Sequence, residues 1–457
     1  MPAARCFQLL GLITILLVSS FLEPRLAWAA LALDAILAAA TLVDFRRAAR
    51  TPLAASRTWP PLLVQEAPSE VTVSLETTAA RPVAVLAREA LHPGLAEQPL
   101  RRRLEIHGPG EIRWTWSLTP RRRGEHRTGP LTVRVLGPWG LAWAQRDLLP
   151  GEAVRVYPQV RWDGRVGQLL VLAQRRRMGQ IPLRMHGIGT EPYGLREYLP
   201  GDPLAKIHWK ATARHGRPVS REETWERSGR LIVLVDRARA MASMDGRRSK
   251  LDYAVAATLA LTRVAAARGD QVTLIAFADR VLRTVRVRSG GRGVGLAYEA
   301  LYDVEALLAE PAYDLAAEAA FDVESRSATA VLFTSVVDLA AAELLRESML
   351  RLGRRHRALL LNLEDPELRR LASAPPETPA QAFAQVASLE IQLANRRLAR
   401  HLRRGGVRVV NTPADRLALE ALEAYLSIYR NSSAAVPLSS RAETISGRST
   451  VVGERGT

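Results

Sequence analysis

Residues 230–236 read RLIVLVD, five consecutive apolar residues closed by a carboxylate. The run is too short for a helix and does not alternate, which describes a strand buried on both faces. Downstream, Lys250–Ala267 places Leu251, Ala254, Val255, Leu259 and Val264 at helical spacing, and Asp270–Phe277 is a second strand. Further strands are predicted at Ala328–Thr334, His356–Leu363 and Val407–Val410. Helices are predicted at Val294–Leu308, Leu339–Leu352, Gln381–Arg404 and Ala414–Tyr429. Strand-then-helix order repeated across residues 229–430 predicts an α/β domain, a parallel sheet with helices on both faces. Ligands of such folds gather at the carboxyl ends of the strands, which makes Asp236 a candidate site residue.

Immediately upstream, Leu195–Arg214 reads LREYLPGDPLAKIHWKATAR. It shows neither helical spacing nor alternation and is read as a loop. Irregular backbone rich in specific polar and aromatic groups is held for recognition or locking. In its Pro200-Gly201-Asp202 turn, Pro fixes φ, Gly permits positive φ and Asp bonds nearby amides. Residues 161–228 as a whole are read as a linker carrying this segment.

From residue 51 to 160 the chain holds short alternating runs, such as Val71–Leu75, Ile112–Leu118 and Leu131–Leu136, separated by Pro, Gly and Arg-rich turns. Trp114 and Trp116 fall on one strand face, where they supply core rather than a ligand platform. An immunoglobulin-like antiparallel β-sandwich suits this length and pattern.

Residues 1–50 contain two apolar runs, about 7–22 and 26–43, split by Glu23-Pro24-Arg25. They are read as a transmembrane helical hairpin of two short helices. Arg5 precedes it and Arg46, Arg47 and Arg50 follow it, so the soluble domains are predicted on the cytoplasmic face of a bacterial inner membrane. A cleaved signal peptide ending at Ala27-Trp28-Ala29 is the alternative, and it leaves Ala30–Val43 unexplained. Asp34 lies mid-span, where an ionised carboxylate costs about 2.5–3.5 kcal/mol. It is therefore expected to be protonated or paired with a neighbouring helix. Residues 431–457, rich in Ser, Gly and Thr, are read as a disordered tail.

LREY, PGD, IHWK and AR within 195–214, followed by a strand ending in Asp236, resemble the domain-of-unknown-function-58 family. So do TPRRRG at Thr119–Gly124, GPWGL at Gly137–Leu141, VYP at Val156–Pro158 and RGDQVTLIAF at Arg268–Phe277. The resemblance spans roughly residues 1–430. It implies a multi-domain, membrane-anchored protein whose α/β domain is von Willebrand A-like (Rossmann-like), with a MoxR-type AAA+ ATPase as partner and no established enzymatic activity. It also marks Arg196, Tyr198, Gly201, Asp202, His208, Trp209 and Arg214 as a structural lock or partner surface.

Von Willebrand A domains hold a divalent cation with an Asp-x-Ser-x-Ser loop, a Thr and a second Asp, oxygen ligands suited to a hard cation. Here Asp236 is present, but Ala238 and Ala240 stand at both serine positions and Ser335 where the second Asp belongs. The loop Ser289–Leu296 offers no Thr. A degenerate site without metal is expected, with Asp236 capping backbone or pairing with Arg237, Arg239 or Arg292.

The net charge is +18, largely arginine, with triplets at 101–103, 121–123 and 175–177. Such a surface suits anionic lipid or an acidic protein. With no zinc finger, helix-turn-helix or aromatic-flanked RNA motif beside it, nucleic acid is not the expected partner. The single Cys6 rules out an internal disulfide. Walker A, GxSxG, HExxH and CxxC motifs are absent, and no nucleophile accompanies His208. The sequence thus predicts a non-enzymatic, membrane-anchored interaction or assembly factor without cofactor. The alternatives are a metal-dependent adhesion module and an uncharacterised hydrolase.

Overall fold

In the computed structural model, which describes residues 1–19, 25–96, 100–162, 164–177, 191–198, 207–224, 229–288 and 290–434, the chain divides into two units. The first comprises Met1–Arg161 with Ala242–Ala256 and Gly295–Leu308; the second comprises the remainder.

In the first unit, Ser69–Thr77 buries Val71, Val73 and Leu75 and turns its alternate residues outward. It pairs antiparallel with Leu53–Thr58 and with Gly110–Leu118, setting Val71 opposite Trp116 and Val73 opposite Trp114. A four-stranded antiparallel sheet, in the order Leu100–Ile106, Val83–Glu89, Leu131–Leu136, Trp143–Leu149, supplies the other wall of the same core. Trp114 and Trp116 lie edge to face with centroids 6.2 Å apart inside that core. A small third sheet joins Leu63–Val64, Ala153–Tyr157 and Gly124–Arg127.

TPRRRG has a structural use. Arg123 is buried, its Nε 2.6 Å from Asp252 Oδ1 and its Nη1 3.1 Å from the Leu301 carbonyl. A guanidinium taken out of water needs a carboxylate and further acceptors, and it finds both here.

The N-terminal helices run Ala4–Ser19 and Arg25–Ala49, not 7–22 and 26–43 as hydropathy suggests. At 1.5 Å per residue they span about 24 and 37 Å. Only the second is long and apolar enough to cross a membrane. It outlasts its apolar run because Asp44 and Ala48 turn into the protein, one to bond and one to pack. Asp44 accepts the backbone N–H groups of Trp139, Leu141 and Ala142 at 2.8, 2.8 and 3.0 Å. GPWGL is therefore a nest of amides closed on one carboxylate. A Cβ at Gly137 would stand 2.2 Å from that carboxylate, and Gly140 sits at φ +71. Both glycines are thus required by the grip.

In the second unit a six-stranded sheet has the order Val281–Val287, Gln271–Phe277, Arg230–Asp236, Thr329–Thr334, Arg357–Leu363, Arg408–Thr412. All pairs are parallel except the first, which is antiparallel. Ile232 and Leu234 pack in one cluster with helices Tyr313–Val323, Leu339–Arg355 and Pro379–Arg404. Leu231, Val233 and Val235 point the other way and are equally buried, as a sheet covered on both faces requires.

Several predicted features need correction. The parallel sheet carries an antiparallel edge strand, Val281–Val287, and the predicted helix Val294–Leu308 runs Gly291–Leu301. Residues 164–177 are a helix, not linker: Val166, Leu169, Leu170 and Ala173 are helically spaced, and Leu170 and Ala173 are buried. Arg165 pairs with Glu423 of the last helix, Leu417–Ala434, which outruns the predicted boundary at 430. The rest of the predicted tail lies outside the described residues.

Pro366–Ser373 and the first half of Pro379–Arg404 form a helical pair at the carboxyl edge of the sheet. Gln385 and Gln392 bind carbonyls of Ala372, Ala374 and Leu368, while Asn395 reaches the Val336 carbonyl. A capping box of Thr378 and Gln381, with Pro379 behind it, starts the longer helix.

Replacing Asp44 with Ala strands three amide donors against the helix. A loss of about 3 kcal/mol is expected in denaturant unfolding of the detergent-solubilised chain.

Candidate functional site

Arg230–Asp236 ends with Asp236 fully buried. Its Oδ1 accepts the Ala238 N–H at 2.8 Å, and its Oδ2 accepts the Thr334 hydroxyl at 2.6 Å. Thr334 closes the neighbouring strand. Its oxygen lies 2.9 Å from the Tyr313 hydroxyl. A threonine has one proton, so with that proton on Asp236 the tyrosine is the donor in the second bond. Tyr313 stands at the first turn of Tyr313–Val323 and packs its ring edgewise on Phe277, 6.0 Å between centroids. Three elements therefore meet at one carboxylate.

Burial raises the Asp236 pKa from 3.8 to about 6, against the opposing hydrogen bonds from Thr334, Ala238 and Tyr313. Burial, followed by the neighbouring Asp236 charge, holds the Tyr313 hydroxyl well above its ordinary value.

Arg239 lies over the same strand end, with its Nε 2.8 Å from Glu310 and its Nη2 3.8 Å from Asp338. Asp338 also caps Leu339–Arg355, accepting the Ala341 N–H at 2.7 Å. Of the two roles expected for Asp236, it takes the capping one, with an amide and a hydroxyl chain as its partners. Arg292 is instead an exposed residue in the first turn of its helix. Ala238 is buried, Ala240 is half-buried, and the Ser335 hydroxyl donates to the Leu363 carbonyl at 2.9 Å.

This donor set does not fit a hard divalent cation. It has one carboxylate, both of whose oxygens already accept hydrogen bonds, and methyl groups where hydroxyls would ligate. Among the described residues, no three His, Cys, Asp or Glu side chains are grouped to hold a metal.

The signature residues are partly described. Arg196 lies in Glu191–Glu197, a strand paired antiparallel with Val219–Thr224, so this part is not a loop. The Tyr198 N–H bonds the Pro218 carbonyl at 2.9 Å. His208 caps the short helix Trp209–His215, its Nδ1 accepting the Ala211 N–H at 3.1 Å, which leaves the ring proton on Nε2. Thr212 accepts the Val219 N–H, and Gly216 at φ +64 ends the helix. Trp209 is 70% exposed and Arg214 is exposed. Gly201 and Asp202 lie outside the described residues.

Thr334 and Tyr313 are the functional residues that sequence reasoning missed. Thr334 closes the predicted strand Ala328–Thr334 and adjoins Ser335. Tyr313 carried no signal, because its helix went unpredicted.

Residues 194–411 match the family described as "Protein of unknown function DUF58". Uncharacterised proteins of Mycobacterium tuberculosis and Mycobacterium bovis are 29% identical over 113 residues, 25% of this chain and 34% of each relative. The chain thus spans about a third of the length of the curated relatives it matches. Among solved structures, the conserved hypothetical protein BatB from Bacteroides thetaiotaomicron is similar at 14% identity and TM-score 0.30. That match covers 46% of this chain and 100% of BatB. A CARDB domain from Pyrococcus furiosus is similar at 14% identity and TM-score 0.19, covering 23% of this chain and 93% of that domain.

A carboxylate whose folded pKa is raised opposes folding once ionised. The penalty is absent below 3.8 and complete above about 6. Wild type is therefore expected to gain up to about 3 kcal/mol relative to Asp236→Asn as pH falls from 7 to 4. Denaturant unfolding of both proteins across that range is the check, and a constant difference would contradict the assignment.

Proposed function

We propose that this chain is a membrane-anchored, non-enzymatic interaction factor that works with a MoxR-type AAA+ ATPase to assemble or mature another protein complex. In this reading Arg25–Ala49, with Ala4–Ser19 beside it, holds the protein in a bacterial inner membrane with the soluble domains in the cytoplasm. The first unit is an immunoglobulin-like spacer, and the second is a von Willebrand A-like domain whose metal site is degenerate. The resemblance of the signature segment supports the partner class.

One observation carries the interaction role. Along the helix Pro379–Arg404, Phe383 is 79% exposed, and Val386, Leu389 and Leu393 are exposed with it. Spacings of three and four place the last three on one helix face. Leu339 and Leu344 add exposed apolar area on the adjoining helix. Scattered single apolar residues are ordinary on a surface, whereas a stripe at the ligand-binding edge of an α/β sheet marks an interface. Asp236, buried under the Arg239 pairs, supports this region as a packed platform rather than an ion site.

Phe383→Asp combined with Val386→Asp is expected to reduce co-purification of a MoxR-type ATPase from native membranes at least tenfold. Stability should stay within about 0.5 kcal/mol, since both side chains face solvent. Undiminished recovery of the ATPase would remove this face from the proposal.

A further inference from the structure

The Asp44 grip places more than a loop. Trp139, at the tip of GPWGL, is 44% exposed, and the Arg47 guanidinium stands 4.8 Å from its ring centroid. Arg5 reaches the same loop: its Cδ lies 3.2 Å from where a Gly140 Cβ would be. Arg46 and Arg50, both exposed, sit one turn apart at the end of Arg25–Ala49. Above them the helix exposes Phe45, Val43, Leu42 and Ile36. The helix, apolar around its surface at these positions, thus gives way within one residue to Arg46, Arg47 and Arg50, with the amphipathic Trp139 indole stacked on Arg47.

The charge of these arginines is not offset by the two aspartates of their own helix. Asp44 is buried and engaged by three amides, and Asp34 lies about 15 Å further along the helix. Arg146 faces the same helix end but binds the carbonyls of Ala49 and Thr51. Among the described residues, Arg5, Arg46 and Arg50 form no ion pair.

We propose that Arg5, Arg46, Arg47, Arg50 and Trp139 form a binding site for the phosphate headgroups of anionic phospholipids. Indole at the headgroup level and arginine on phosphate are the interactions an interface offers these side chains. The amide nest makes the site rigid, because Trp139 is held by backbone bonds to the membrane helix itself. The proposal rests on the membrane reading above.

The test uses the full-length chain in phosphatidylcholine bilayers, with brominated phosphatidylcholine or brominated phosphatidylglycerol as fluorescence quencher. The Trp139 signal is the difference between wild type and Trp139→Phe. Brominated phosphatidylglycerol is expected to associate at least fivefold more strongly than its zwitterionic counterpart, since each basic residue near a charged surface contributes about a fivefold factor. One molar salt should bring the ratio towards one without any substitution. Arg46→Gln with Arg50→Gln should do the same while leaving the Asp44 grip and the Arg47–Trp139 stack in place. Equal quenching by the two lipids, or a preference unaffected by salt and by these variants, overturns the site. Release of the chain from membranes by alkaline carbonate would instead overturn the membrane reading together with it, whereas retention with no lipid preference sinks the site alone.

Discussion

The hydrogen bond from Thr334 to Asp236 is the constraint around which the second unit is arranged. A carboxylate at the end of a central strand, away from water, must be protonated, paired or surrounded by donors. Here the donors are an amide two residues on, a threonine at the end of the next strand and a tyrosine behind it. Each belongs to a different element, so the register of two strands and the seat of one helix are tied to a single side chain.

The first unit solves the same problem differently. Asp44 also leaves water, and its donors are three backbone amides of one glycine-containing loop. Hydroxyls from separate elements tie a sheet together. Amides from one loop fasten a helix to a sheet. In both cases the energetic weight lies in not leaving a buried charge unsatisfied, since either carboxylate without its donors costs more than the bonds add.

Arginine use follows the same division. Arg123 is spent on Asp252 and the Leu301 carbonyl, and Arg57 on Glu89 and Glu152, so part of the positive charge is internal scaffolding. Others remain in solvent, including those at the end of the membrane-length helix. Composition counts both kinds alike, which is why a net charge of +18 says little about any one partner. The triplets illustrate this: in Arg121–Arg123 two residues bond the Gly94 carbonyl through their backbone while the third is buried.

Apolar patterning alone determined the two-layered first unit, the α/β character of the second and the presence, though not the length, of the apolar N-terminal helices. Burial writes itself into residue type at spacings of two and three to four, so these elements could be read directly from residues 69–77, 230–236 and 250–268. The helix at 164–177 obeyed the same rule, but its arginines masked it. Only tertiary structure decided which donors surround Asp236, that GPWGL closes on Asp44, and that Val281–Val287 runs antiparallel. These depend on groups distant in the chain, such as Tyr313 and Asp236, whose meeting leaves no local pattern. A polar contact is satisfied by any donor brought within reach, and the fold alone chooses which one arrives.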